Sequence, residues 1–335
     1  MEDPSEAGSS TSATRPSLGS PPSAKGSARS VSPGSATGSA TPRATGSAGG
    51  SATGAASLGR GALRALAERH GIRPTKTLGQ NFIADPNLAR AIVADAGIGR
   101  GDRVLEVGAG LGSITVALAE AGCEVLAVEF DRRLTPALRE VVSAYPNVRV
   151  EQLDVMRVDW HELLGAERWT MVSNLPYNIS VPLMVDLLEG VPQIDRFVVM
   201  VQREVGERFV ARAGDEAYGT VSVRIAYRAD AELLRRIPAD VFWPRPNVDS
   251  VLVRIDRRSP PVDVDPVALF AVVEESFAER RKTMANALRR LGLGLPDANR
   301  VLGRSGVDPS IRGERLGLED FARVTDALLA EGWRP

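Results

Sequence analysis

The sequence is poor in the residues on which disulfide scaffolds, zinc modules and many hydrolases depend. It has one cysteine and two histidines in 335 residues. Cys123 has no partner for an internal disulfide, and His70 and His161 are too few for a Cys/His zinc cluster, so no metal is expected. No stretch approaches the ~18 uninterrupted apolar residues of a membrane span, and the N-terminus lacks the basic-then-apolar order of a secretory signal. The expectation is a cytoplasmic protein that does not enter a membrane. An excess of either charge is also missing: 41 basic side chains face 42 acidic ones, for a net charge of −1. A phosphate-rich partner must therefore be held by local clusters of cations. Of the cations, 38 are arginine.

What is abundant divides the chain. Residues 1–60 hold 15 Ser, 11 Ala, 10 Gly, 6 Thr and 6 Pro and no aromatic residue. That composition buries too little apolar surface to offset the entropy of ordering, so 1–60 reads as a disordered low-complexity tail, with the fold beginning near Gly61. Beyond it, strand-like apolar runs alternate with helical segments, the pattern of a mainly parallel sheet covered by helices, an α/β fold. Strands are expected at 103–107, 124–129, 148–153, 170–173 and 197–201, with helices at 113–121 and 134–145. Residues 220–227 and 251–255 read as late antiparallel strands. From Pro266 the pattern changes to short helices separated by Gly and Pro, including 269–277, 283–291 and 318–329. The expected division is 61–258 for a catalytic domain and 259–335 for a small all-helical one.

The first strand runs into Glu106-Val107-Gly108-Ala109-Gly110-Leu111-Gly112, with glycines where the backbone must admit a ligand closely. The third glycine comes one residue too early for the dinucleotide pattern G-x-G-x-x-G, which argues against a pyrophosphate. Glu129 closes the second strand, where a carboxylate can accept from both ribose hydroxyls. Asp154 closes the third, within reach of an adenine amino group. Acidic groups around an uncharged sugar suit an adenosyl ligand carrying a cation, and S-adenosylmethionine fits. The plainer alternative is a tight strand–helix turn with Glu129 and Asp154 as strand-end caps.

The fourth strand leads into Asn174-Leu175-Pro176-Tyr177-Asn178. An exocyclic adenine amine is a weak nucleophile because its lone pair is delocalised into the ring, so a catalyst must hold it in line with the methyl donor using aimed acceptors. The Asn174 side-chain oxygen and the Leu175 carbonyl can accept the two N–H groups, Pro176 stiffens the turn, and Tyr177 offers a ring to an extracted base. No strong general base is needed, which suits a chain with so few histidines. The plainer alternative is a turn after a buried strand.

With these motifs in view, the chain strongly resembles the ribosomal RNA adenine N6-dimethyltransferase family, in its bacterial 16S branch. The matching segments lie between Gly79 and Thr283: Leu78-Gly79-Gln80-Asn81-Phe82, Glu106 to Gly110, Asn174 to Ser180, Gln202 to Val205, Phe242 to Ser250 and Phe277 to Thr283. The resemblance implies a Rossmann-like class I S-adenosylmethionine-dependent methyltransferase with a C-terminal helical domain. It implies that Asn81, Ile83, Gly108, Gly110, Glu129, Asp154 and Asn174 bind the donor, and that Asn174, Leu175, Pro176, Tyr177 and Phe242 hold the target. The implied product is two adjacent dimethyladenosines in a hairpin loop near the 3′ end of 16S rRNA, made by a monomer on an assembling 30S subunit. A 23S rRNA methyltransferase giving macrolide resistance and a non-catalytic ribosome assembly factor are the alternatives.

Candidate RNA contacts are Arg224 with Arg228, Arg235-Arg236, Arg245, Arg257-Arg258, Arg280-Arg281-Lys282 and Arg289-Arg290. Arginine forks suit phosphates. Residues 201–300 hold 17 cations against 15 anions, so most of these are expected to be solvated surface charges. The preferred RNA-binding set is Arg245, Arg280, Arg281 and Lys282.

Overall fold

The computed structural model describes residues 58–75 and 79–335. The low-complexity tail therefore lies, up to residue 57, outside the described residues. The fold begins slightly before Gly61. Leu58 is already buried, and helix α1 (Arg60–Arg69) packs Leu63 and Leu66 against Leu111, Val116 and Leu134.

Short strand β1 (Phe82–Ile83) precedes helix α2 (Pro86–Ala96). Asp85 caps α2 by accepting from the amides of Asn87 and Leu88, Pro86 supplies a ready-made first-turn φ, and Gly97 closes the helix in the left-handed region. There follow β2 (Arg103–Val107), α3 (Ser113–Glu120), β3 (Glu124–Glu129), α4 (Thr135–Val142) and β4 (Val148–Gln152), then α5 (Trp160–Leu164), β5 (Trp169–Asn174), α6 (Ser180–Gly190) and β6 (Ile194–Gln202). Helices α7 (Arg203–Val210) and α8 (Thr220–Arg228) lead to β7 (Ala229–Ile237), the short β8 (Phe242–Trp243) and β9 (Ser250–Arg257). Four helices complete the chain: α9 (Pro266–Ala278), α10 (Met284–Arg290), α11 (Leu295–Arg304) and α12 (Leu318–Ala330).

Seven strands form one sheet in the order β4-β3-β2-β5-β6-β9-β7, and β1 pairs separately with β8. The pairs among β4, β3, β2, β5 and β6 are parallel, whereas β9 runs antiparallel to both β6 and β7. The chain winds outward from β2 to β4 and then returns to place β5 on the other side of β2. That reversal opens a crevice beyond the carboxyl ends of β2 and β5, where ligands of open α/β sheets sit. The glycine-rich turn and the Asn-Leu-Pro-Tyr turn leave adjacent strands at that point. The Rossmann-like expectation is met.

One expectation is corrected. Residues 220–227, read as a strand, are helix α8. The alternation of Val221, Val223, Ile225 and Tyr227 mimics a period of two because the helix is buried on two sides. Ile225 enters the core beneath the sheet, whereas Val223 and Tyr227 join a second core with Leu269, Met284 and Phe321 of the C-terminal helices. The Ser222 hydroxyl accepts from the Gly219 amide at the helix start and donates to the Arg208 carbonyl. The outer partner of β9 is β7, a polar edge strand whose sequence carries no apolar run.

Candidate functional site

The turn after β2 packs against two other segments, and glycine makes both contacts possible. Gly108 and Gly110 have φ of +73° and +59°. A Cβ on Gly110 would lie 2.9 Å from the Phe82 ring, and one on Gly108 would lie 3.3 Å from Cδ of Pro176. The glycine turn therefore sits beneath the Gly79–Ile83 segment on one side and beside the Asn174–Tyr177 turn on the other. Gly79, with φ of +63°, faces the Tyr177 amide in the same way.

These segments enclose a cavity. Its lining brings together eight of the expected residues: Asn81, Ile83, Gly108, Gly110, Glu129, Asp154, Asn174 and Pro176. Glu129 is held rigidly. One carboxylate oxygen accepts from the Gly110 amide and the other from the Asp131 amide, each at 2.8 Å. Burial nonetheless pushes its pKa up. Asp154 is more open, accepts from the Met156 amide at 3.1 Å, and shares its end of the cavity with the exposed side chains of Phe130 and Met156.

Asn174 has a determined orientation. Its Nδ2 donates to the Asn81 carbonyl at 2.9 Å, and because a carbonyl oxygen only accepts, the amide must turn its NH2 toward the strap. Oδ1 is left to accept from another group. The neighbouring Leu175 side chain is buried in the core, and no hydrogen bond among the described residues ends on its carbonyl oxygen. Tyr177 is half-buried beside the cavity lining, with its hydroxyl 3.3 Å from Ser250 Oγ, and burial raises its pKa.

Phe242 departs from expectation. Its place opposite Ile83 in the β1–β8 pair turns the ring inward, where it is fully buried in the core with Ile237 and Leu252 and lies outside the cavity lining. A flipped base finds no open face on it. Trp243, the next residue, is the partly exposed ring, 6.2 Å from Phe82.

Among the lining residues not singled out as site residues from the sequence are Glu106, Asp131 and Gln80. Glu106 on β2 is 2% exposed, accepts from Thr115 Oγ1 at 2.6 Å, and is pushed up by burial to about 8. An acid interrupting the apolar run Val104-Leu105-Glu106-Val107 was the available signal. Asp131 is held down to about 2, chiefly by hydrogen bonds from Arg133. Gln80 donates to Asp131 Oδ2 at 2.8 Å, a contact with no local sequence signal.

The ionisable residues lining the cavity are all acids, Glu106, Glu129, Asp131 and Asp154, with no Lys, Arg or His among the described lining residues. Such a wall repels phosphates and accommodates a cation. It fits an adenosyl group that carries a sulfonium and does not fit a pyrophosphate.

Among the candidate RNA cations, the structure separates engaged from available. Arg224 pairs with Glu189 and Glu274 and stacks on Phe270; Arg235 pairs with Asp95, Arg258 with Asp230, and Arg290 with Glu275. Arg257 donates to the carbonyls of Leu187, Leu188, Val191 and Ile194, closing the end of α6. Arg280 is tied to the Glu216 carbonyl and to Glu314. Arg236, Arg245, Arg281, Lys282 and Arg289 are exposed and make no ion pair among the described residues.

Comparison with known proteins accords with this geometry. The model of the family described as ribosomal RNA adenine dimethylase matches residues 72–328. Ribosomal RNA small subunit methyltransferase A of Cutibacterium acnes is 44% identical over 280 residues, covering 81% of this chain and 94% of that protein. A dimethyladenosine transferase from Plasmodium falciparum shares the fold, with a TM-score of 0.64 at 22% identity over 74% of this chain and 98% of that one. The crystal structure of the 23S rRNA methyltransferase ErmE aligns with a TM-score of 0.58 at 26% identity, over 74% and 99%. The chain belongs to the ribosomal RNA adenine dimethylase family, enzymes that methylate rRNA adenines with S-adenosylmethionine as donor.

Proposed function

We propose that the protein dimethylates N6 of two adjacent adenosines in the 3′-terminal hairpin loop of 16S rRNA, acting on the assembling small subunit. The observation that carries the chemistry is the union of a cavity wall whose ionisable residues are all acids with an Asn174 amide whose NH2 is already engaged. The 16S assignment is supported by the 44% identity to a small-subunit enzyme, against 26% to the 23S methyltransferase.

When bound, S-adenosylmethionine supplies an electrophilic methyl group on a cationic sulfur. The residues of this chain supply the geometry. Glu129, fixed by two backbone amides, accepts from the ribose hydroxyls, Asp154 accepts from the adenine amine, Asn81 and Ile83 line the pocket, and Gly108 and Gly110 let the ligand lie close to the backbone. Asn174 Oδ1 and the Leu175 carbonyl accept the N–H bonds of the target amine and favour a pyramidal nitrogen with its lone pair toward the methyl. Pro176 stiffens that turn, and Tyr177 stands next to it as the ring available to the extruded base. Arg245, Arg280, Arg281 and Lys282 hold rRNA phosphates, with Arg245, Arg281 and Lys282 making no ion pair among the described residues.

Incubation with labelled donor and either undermethylated 30S particles or naked 23S RNA, followed by mapping of the modified nucleotides, tests the reading. Two neighbouring dimethyladenosines in 16S rRNA are expected. Label confined to 23S RNA, or no label in either, refutes it. Asn174→Ala should abolish transfer while leaving part of the donor affinity.

A further inference from the structure

The Gly79–Ile83 strap touches both halves of the site, and one side chain sets where it lies. Gln80 is half-buried and uses both ends of its amide. Oε1 accepts from the Thr75 amide at 2.9 Å and from Thr75 Oγ1 at 3.2 Å, while Nε2 donates to Asp131 Oδ2 at 2.8 Å. Asp131 in turn gives its own amide to Glu129 Oε1. On the other side of Gln80, the next residue presents the carbonyl that holds Asn174 Nδ2. A continuous hydrogen-bonded path therefore runs from Glu129 through Asp131, Gln80 and the Asn81 backbone to Asn174. The strap cannot shift freely against its neighbours either. Gly79 lies against the Tyr177 amide, and the Phe82 ring lies on Gly110.

We propose that Gln80 is a positioning residue for methyl transfer. By bridging Thr75 to Asp131 it sets the strap over the cavity, and through the Asn81 carbonyl it fixes the direction in which Asn174 Oδ1 points. The target's acceptor is thereby aligned to the segment that carries the donor's ribose contact. The inference rests on Asn174 holding the target amine. It adds that the alignment is imposed from the donor side by a side chain that touches neither reactant.

The test uses the full chain, undermethylated 30S particles, single-turnover methylation and calorimetric binding of S-adenosylmethionine. Gln80→Ala should lower the transfer rate about tenfold or more, since small misplacements of a positioned group carry penalties of that order. The half-saturating 30S concentration and donor affinity should each change less than about threefold, and the melting temperature should stay near that of the parent protein. Gln80→Glu keeps the acceptor for Thr75 but sets a carboxylate against Asp131, so the rate should fall at least as far. A Gln80→Ala rate within about twofold of the parent, in a preparation where Asn174→Ala abolishes transfer, overturns the inference and spares the reading of Asn174. A rate loss matched by an equal loss of donor affinity also overturns it. Retained transfer in Asn174→Ala removes both.

Discussion

Glu106 offers a measurable link between the cavity and the stability of the fold. It lies on a central strand, 2% exposed, with Thr115 as its hydrogen-bonding side-chain partner and no cation beside it in the cavity wall. Burial raises its carboxyl from 4.5 to about 8, and the nearby Glu129 charge adds to the rise. Because the folded pKa lies above the unfolded one, the native state binds a proton that the unfolded chain has released. The resulting stabilisation is fully present below the unfolded value of about 4.5 and is lost as pH rises through about 8. In the middle of that window each pH unit removes about 1.4 kcal/mol, and with the flattening at either end the loss is about 3 to 4 kcal/mol between about pH 5 and pH 8. Glu106→Gln is neutral in both states and keeps the shape. In urea titrations without donor, the variant should match the parent within about 1 kcal/mol near pH 5 and exceed it by about 3 to 4 kcal/mol near pH 8. Glu129 has the same sign but is common to both proteins, so it largely cancels in the difference. A stability difference that stays constant across the pH range would refute the reasoning.

Other consequences are as direct. Glu129→Ala should weaken S-adenosylmethionine binding by ~1–3 kcal/mol in calorimetry, the usual cost of removing a charged acceptor; unchanged affinity would contradict the ribose assignment. Arg224→Ala should cost ~1–2 kcal/mol in denaturant titration through loss of two carboxylate partners and its stacking on Phe270, while rRNA affinity stays put. A weakened rRNA affinity with intact stability would show that Arg224 faces RNA after all. Arg281→Ala with Lys282→Ala should weaken 30S binding and lower its salt dependence by about one to two in log–log slope; an unchanged slope would place the phosphate contacts elsewhere.

The part of the cavity lining formed at strand ends was readable in the sequence because it depends on backbone geometry. Glycines at 108 and 110 and acids at 129 and 154 carry their meaning in type and spacing, and the sheet brings them to one crevice. Phe242 failed for a reason of the same scale: its motif locates the short strand but not which face of that strand meets the core. Helix α8 misled because burial on two sides erases the period of an ordinary amphipathic helix, and β7 escaped notice because an exposed edge strand needs no apolar run. Gln80 and Asp131 are 51 residues apart and meet only through the tertiary fold. The arginines show a related limit. Their clustering was visible, but which of them spend their charge on Glu189, Asp95 or the end of α6 depends on distant partners.

The position of α8 bears on how this protein can be divided. Tyr218, Val223 and Tyr227 lie before residue 258, yet they are covered by helices that follow it. A fragment ending at the last strand would lay bare two tyrosine rings and a valine, an adhesive stripe inviting self-association. Anyone seeking a minimal catalyst should expect inclusion bodies from that cut, and the two halves are better regarded as co-dependent partners in folding than as interchangeable modules.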